Sequence, residues 1–363
     1  MTDTSAATSS PGVPGQAPPL AQLTTLRVGG PARSLVTVTT TDALIEAVSS
    51  CDAAGDPVLV VGGGSNLLVG DDGFDGTVVV VRTRGVDVDA ADRCGGVDLR
   101  VAAGEPWDDL VAHTVASGWT GVEALSGIPG STGATPLQNV GAYGQEVAET
   151  IATVRTWDRQ DRRVRTLANA DLEFGYRTSR LKEERFRGGP RYVVLEVTFQ
   201  LLIGDLCDAV RYAELARTLG VEVGARARAA DVRDAVLGLR RGKGMVLDAA
   251  DHDTWSAGSF FTNPVLDAAD AARLPEAAPR WPADGGRVKT SAAWLIEQAG
   301  FRKGHGTGPA RLSTKHTLAL TNRGGASTAD LLALAREVRD GVRQRFGVVL
   351  EPEPVLVGCS LDA

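Results

Sequence analysis

The chain has 363 residues, of which 43% are hydrophobic and 23% charged, and it carries a net charge of −7. That length allows two or three domains with substantial cores. The acidic balance argues against a general nucleic-acid binder, and no apolar run reaches the roughly 18 residues that a membrane span needs.

Residues 1–20 hold Pro11, Pro14, Pro18 and Pro19 among small polar residues, so a disordered tail is expected there. No basic segment precedes an apolar one, and no signal peptide is expected. Residues 35–39 read as a strand. Thr41 can cap a helix with Leu44, Ile45, Val48 and Cys51 on one face, and Gly55 can end it. A buried strand at 58–61 runs into Gly62-Gly63-Gly64-Ser65-Asn66, with further strands at 78–81 and 99–102. Pro106 suits the first turn of a helix ending at Gly118.

Residues 127–144 are dense in glycine and small polar residues, without helical or strand period, and too long for a casual turn. Strands follow at 154–157 and 192–201. Helices are expected over 231–241, 289–299 and 327–346, the last with a capping-box variant at Ser327 and Asp330 and a stripe of Leu331, Leu334, Val338 and Val342. A final strand over 348–357 contains Pro352 and Pro354, which puts it at a sheet edge or site rim. The pattern is α+β, with a β-rich N-terminal half and a smaller, more helical C-terminal part.

Several segments carry chemistry. The 62–66 turn follows a strand and offers consecutive unencumbered N–H groups, which can cradle a phosphate or form a plain tight turn. The run Ile128-Pro129-Gly130-Ser131-Thr132-Gly133-Ala134-Thr135-Pro136-Leu137-Gln138-Asn139-Val140-Gly141-Ala142-Tyr143-Gly144 supplies more such amides, with Ser131, Thr135, Gln138 and Asn139 as side-chain partners. A flat heteroaromatic ring with a diphosphate tail needs that mixture. Gly258-Ser259-Phe260-Phe261-Thr262-Asn263-Pro264 sets a hydroxyl and an amide around two phenylalanines, without the Gly-x-Ser-x-Gly elbow of a hydrolase. Cys51, Cys94, Cys207 and Cys359 match no metal spacing and are expected to be free thiols. His113, His252, His305 and His316 show no metal-ligand spacing either.

Together these segments resemble the UDP-N-acetylenolpyruvoylglucosamine reductase (MurB) family. The match runs in order through 25–31, 62–68, 128–144, 176–179, 258–264, 293–298 and 350–358. The resemblance implies an FAD-binding domain of the PCMH/vanillyl-alcohol-oxidase type over 21–240. A smaller α+β substrate-binding domain over 241–346 and a strand returning to the site at 347–358 would follow. It implies non-covalent FAD, with NADPH as co-substrate, and reduction of an enolpyruvyl ether of a UDP-sugar to UDP-N-acetylmuramate. A cytoplasmic monomer with no nucleic-acid partner and no membrane insertion is expected.

Carried over residue by residue, Ser259, Arg177 and Glu353 would do the chemistry. Gly62, Gly63, Gly64, Ser65 and Asn66 would hold the FAD diphosphate. Ser131, Thr135, Gln138, Asn139 and Gly141 would line the flavin, with Arg240 beside it. Tyr212, on the substrate loop of one subgroup, Lys243 and Asn263 would bind substrate. Pro354 stands where the family usually has valine, and Glu351 is the alternative to Glu353, which is chosen by counting back from Gly358.

Overall fold

The computed structural model describes residues 18–92 and 96–362. The expected tail at 1–20 lies outside them up to residue 17, as does Cys94. Its last residues already belong to the fold: Pro19 bridges Pro31, and Leu20 is buried.

Three short parallel strands form the first sheet, in the order Ala32–Val38, Phe74–Val81, Val58–Val61. The helix Thr41–Ala54 makes the crossover between two of them. Its cap is Thr40 rather than Thr41, because the Thr40 hydroxyl accepts the Ala43 N–H at 3.2 Å. Gly55 ends it in the left-handed conformation, where a side chain would be strained.

The second sheet is antiparallel. Its path runs Arg163–Ala168, Ile151–Asp158, Tyr192–Ile203, Gly96–Ala102, Val86–Asp92, and Trp119–Thr120 pairs with the far end of the long strand. Alternate residues of Gly96–Ala102 are buried, and Val97, Leu99 and Val101 meet the helices Thr41–Ala54 and Trp107–Ala116 in the largest core. Pro106 precedes that second helix as its N-cap instead of sitting in its first turn.

The C-terminal part packs the helices Ala292–Gln298 and Thr328–Phe346 over two small sheets. The helix expected over 289–299 begins later: Lys289 lies in the strand Val288–Thr290, and Ser291 caps the helix by accepting the Trp294 N–H. The β-branched Val288 and Thr290 bury better on a pleated surface. Ser327 and Asp330 do form a capping box. The strand expected over 348–357 shrinks to Val355–Val357, since Pro352 and Pro354 cannot donate to a ladder.

Two features weld the halves together. Leu26, Val28 and Leu68 are buried in the C-terminal core beside Phe260 and Leu295, each contributing roughly 1.5–3 kcal/mol of burial. The Asp71 carboxylate accepts the Thr328 and Ala329 N–H groups at 2.7 and 2.9 Å, capping the last helix from the N-terminal half. Val355–Val357 then runs parallel to Leu67–Val69, directly after the 62–66 turn.

No helix among the described residues is long and apolar enough to cross a membrane. No cluster of potential metal ligands occurs among them.

Candidate active site

The two glycine loops lie against each other. A Cβ on Gly63 would come 2.5 Å from Gly130 Cα, one on Gly62 2.1 Å from the Ser131 hydroxyl, and one on Gly64 1.7 Å from the Leu23 carbonyl. Only glycine permits this contact. Among the described residues, the N–H groups of Gly63, Gly64, Ser65 and Asn66 are taken up by no backbone carbonyl. Arg82, which sequence reasoning passed over, donates to the Gly62 carbonyl at 2.9 Å and puts a cation beside the loop. Consecutive unpaired amides, two of them on glycines, next to a guanidinium, fit the diphosphate of FAD.

Behind the loops is a network centred on Arg177. Its Nη1 and Nη2 donate to the carbonyls of Asn139 and Gly141 at 3.3 and 3.0 Å, and its Nε lies 3.2 Å from the Glu353 carboxylate. Both Asn139 and Arg177 sit at positive φ, 46° and 58°. Such backbone strain persists where surrounding bonds hold it. The Asn139 amide donates to the Gly175 carbonyl and to Glu146, and its oxygen accepts the Ala148 N–H. That carboxamide is therefore committed within the protein, leaving the backbone of Asn139 as what it can offer a flavin. The Thr135 hydroxyl likewise donates inward, to the Thr132 carbonyl. Gln138 accepts from Asn66 at 2.8 Å and lies 3.5 Å from Glu353, so it links both loops to the C-terminal strand.

Glu353 comes from the other end of the chain. Its N–H donates to the Phe260 carbonyl at 2.8 Å, Thr262 N–H donates to the Glu351 carbonyl, and Phe261 bridges Pro352. This antiparallel contact pairs Phe260 with Glu353 and leaves Ser259 one residue from that pairing along the chain. Among the described residues the Ser259 hydroxyl has no partner. Burial pushes the Glu353 carboxyl above its usual range, against the pull of Arg177 and Lys182. Glu351 is exposed.

At the outer side, Tyr143 and Tyr212 meet edge to face with centroids 5.4 Å apart. Lys243 Nζ lies 5.5 Å from the Tyr143 ring and 2.5 Å from Glu214. Arg240 donates to the Met245 carbonyl, while its Nε is buried without a partner and burial lowers its pKa to about 10. A buried donor left unpaired is costly, so a ligand acceptor suits that position. Asn263 uses its side-chain oxygen on the Ala292 N–H, and both its own N–H and its side chain meet the Tyr176 hydroxyl, so it ties that tyrosine to the start of the helix Ala292–Gln298. The sequence reading missed Glu214, on an unforeseen helix Ala213–Leu219, and His316, neighboured electrostatically by Lys243 and Lys303. The Lys315-His316 pair was the one local signal for the latter.

A family model described as an FAD binding domain matches residues 32–167, and one described as the UDP-N-acetylenolpyruvoylglucosamine reductase C-terminal domain matches 250–357. The UDP-N-acetylenolpyruvoylglucosamine reductase of Cutibacterium acnes is 57% identical over 350 residues, covering 96% of this chain and 91% of its own. That of Streptomyces coelicolor is 58% identical over 354 residues, covering 94% and 90%. The solved MurB structure from Thermus caldophilus aligns with a TM-score of 0.63 at 26% identity, covering 93% of this chain and 97% of its own.

Proposed function

The chain belongs to the UDP-N-acetylenolpyruvoylglucosamine reductase family, and from that premise we propose that it reduces UDP-N-acetyl-3-O-(1-carboxyvinyl)-glucosamine to UDP-N-acetylmuramate for peptidoglycan synthesis. It is an FAD-dependent oxidoreductase, with an FAD-binding domain of the PCMH/vanillyl-alcohol-oxidase type and a C-terminal domain of this family. When bound, FAD supplies a two-electron carrier between NADPH and the substrate's vinyl carbon. The observation that supports the reading most is the antiparallel contact that docks Phe260, the residue after Ser259, on Glu353, which itself meets Arg177.

Each residue then has a task set by its chemistry. The amides of Gly63, Gly64, Ser65 and Asn66 take the FAD diphosphate, and Arg82 neutralises it. The loop over 128–144 walls the ring, with Arg240 offering its unpaired Nε. As the double bond is reduced, negative charge spreads into the substrate carboxylate. Arg177 and a protonated Glu353 stabilise that charge more than the ground state. The Ser259 hydroxyl donates a proton to the carbon next to the carboxylate and regains one from solvent. Lys243, Tyr212 and Asn263 hold the UDP-sugar. A cytoplasmic monomer belongs to the same reading, and light scattering of the purified chain tests its mass.

The deciding experiment follows NADPH oxidation by the purified yellow protein with and without the enolpyruvyl substrate. Oxidation that depends on substrate and yields UDP-N-acetylmuramate supports the proposal. Substrate-independent oxidation with peroxide formation, or a protein without flavin absorbance, overturns it.

A further inference from the structure

We infer that Glu214 is an exchangeable internal counter-ion: it holds the Lys243 ammonium and the Tyr212 segment in place until an anionic ligand replaces its carboxylate. This rests on the proposed binding of the substrate diphosphate by Lys243.

The pair is close, with Lys243 Nζ 2.5 Å from Glu214 Oε2, and both side chains are about two-thirds covered. Glu214 stands in the first turn of the helix Ala213–Leu219, and Tyr212 immediately precedes that helix. Lys243 follows the helix Ala229–Gly242 as its C-cap. One ion pair therefore ties the tyrosine-bearing segment to the end of another helix. Tyr212 completes the tie by meeting the Tyr143 ring edge on, and Lys243 lies over that same ring.

The charge balance around this pair is lopsided. Lys243, Arg240 and Glu214 act on both Tyr143 and His316, and Lys303 acts on His316 as well. Three cations thus share one carboxylate among the charged groups that act on these two rings. His316 adds no positive charge near neutrality, because burial, then Lys243 and Lys303, hold its pKa down to about 4. Asp108 also acts on Arg240, but both its oxygens already accept from Arg233, so the cationic set stays under-neutralised. A diphosphate brings more charge and more acceptor oxygens, so it gains more from the same cations.

The exchange has a direction. While Glu214 is in place, Lys243 is ordered and its charge partly spent, so weak monoanions gain little by binding there. A diphosphate must break the Lys243–Glu214 pair, and that cost is subtracted from its affinity. A partly exposed ion pair of this kind is worth a few-fold in an equilibrium constant. Glu214 is thus a positioning residue that acts through Lys243.

The test is a double-mutant cycle on the oxidised holoenzyme without NADPH, so that substrate binds and does not turn over. The enolpyruvyl UDP-sugar is titrated and its Kd read from the perturbed flavin spectrum, with flavin content per chain reporting the fold. Glu214→Gln is expected to tighten Kd by roughly two- to five-fold. Lys243→Ala is expected to weaken it, and Glu214→Gln is expected to have no effect in the Lys243→Ala background. An unchanged or weaker Kd in Glu214→Gln overturns the exchange while leaving Lys243 as the diphosphate ligand. The same tightening in both backgrounds also overturns it, since Glu214 would then act as a distant charge. A Kd unaffected by Lys243→Ala removes the diphosphate reading, and the exchange with it.

Discussion

The Arg177 guanidinium lies 3.2 Å from the Glu353 carboxylate, and it reaches there from a backbone at φ 58° that it helps to hold by bonding the Asn139 and Gly141 carbonyls. One cation therefore joins the loop expected to wall the flavin to the segment that leads into the C-terminal strand Val355–Val357. Burial raises the carboxyl's pKa even so. A protonated Glu353 can donate to a developing oxyanion, and that form is lost as pH rises through the elevated pKa. The wild type should show a limb of kcat that falls with rising pH. Glu353→Gln keeps a neutral donor and should abolish that limb while retaining much of the rate. Glu353→Ala should lose on the order of 10²-fold or more. Steady-state pH profiles of the three proteins check this.

Ser259→Ala should leave FAD bound and reducible by NADPH, yet slow the substrate half-reaction on the order of 10²–10⁴-fold. Rapid mixing that follows flavin reduction and reoxidation separately measures both steps. Reoxidation by substrate at a near-normal rate removes the serine from the proton transfer.

Gly63→Ala should yield a folded protein that retains little flavin. The added methyl would press on Gly130 Cα at 2.5 Å, a backbone contact that cannot swing aside. The ratio of flavin to protein absorbance after gel filtration reports the loss, and a stoichiometric yellow variant contradicts it.

His316 ties stability to pH. Its pKa is held at about 4 in the folded chain, first by burial and then by Lys243 and Lys303. In the unfolded chain it takes its proton near 6.5, roughly the free value. Between those values the unfolded state binds more protons, so stability falls as pH drops through the window, by on the order of 3 kcal/mol. His316→Gln should flatten that slope. Melting temperatures from pH 7 to pH 4 for both proteins test it, and parallel curves would refute it.

Much of the site was legible before any coordinates. The 62–66 turn, the 128–144 run and the 258–264 turn stand out because glycine marks close backbone approach and hydroxyl or amide side chains mark chemistry. The helices Thr41–Ala54 and Thr328–Phe346 were readable too, since their apolar spacing and capping residues are local signals. The seven-residue helix Ala213–Leu219 was not, being too short for a periodic stripe to stand clear. Lys289 reads as helical from sequence for a similar reason: a three-residue strand shows itself only through the strands it pairs with.

What the sequence determined by itself is the set of loops, most of the longer elements and the residue types at the centre. What only the tertiary structure decided is which of them meet. Glu353 lies against Arg177 while Glu351 is exposed, because residues two apart were separated by how 258–264 docks on 351–353 and not by any pattern within that segment. Asn139 spends its amide on Gly175 and Glu146, and Lys243 spends its charge on Glu214. A side chain's partners across long stretches of chain follow from packing, and local periodicity carries no record of them.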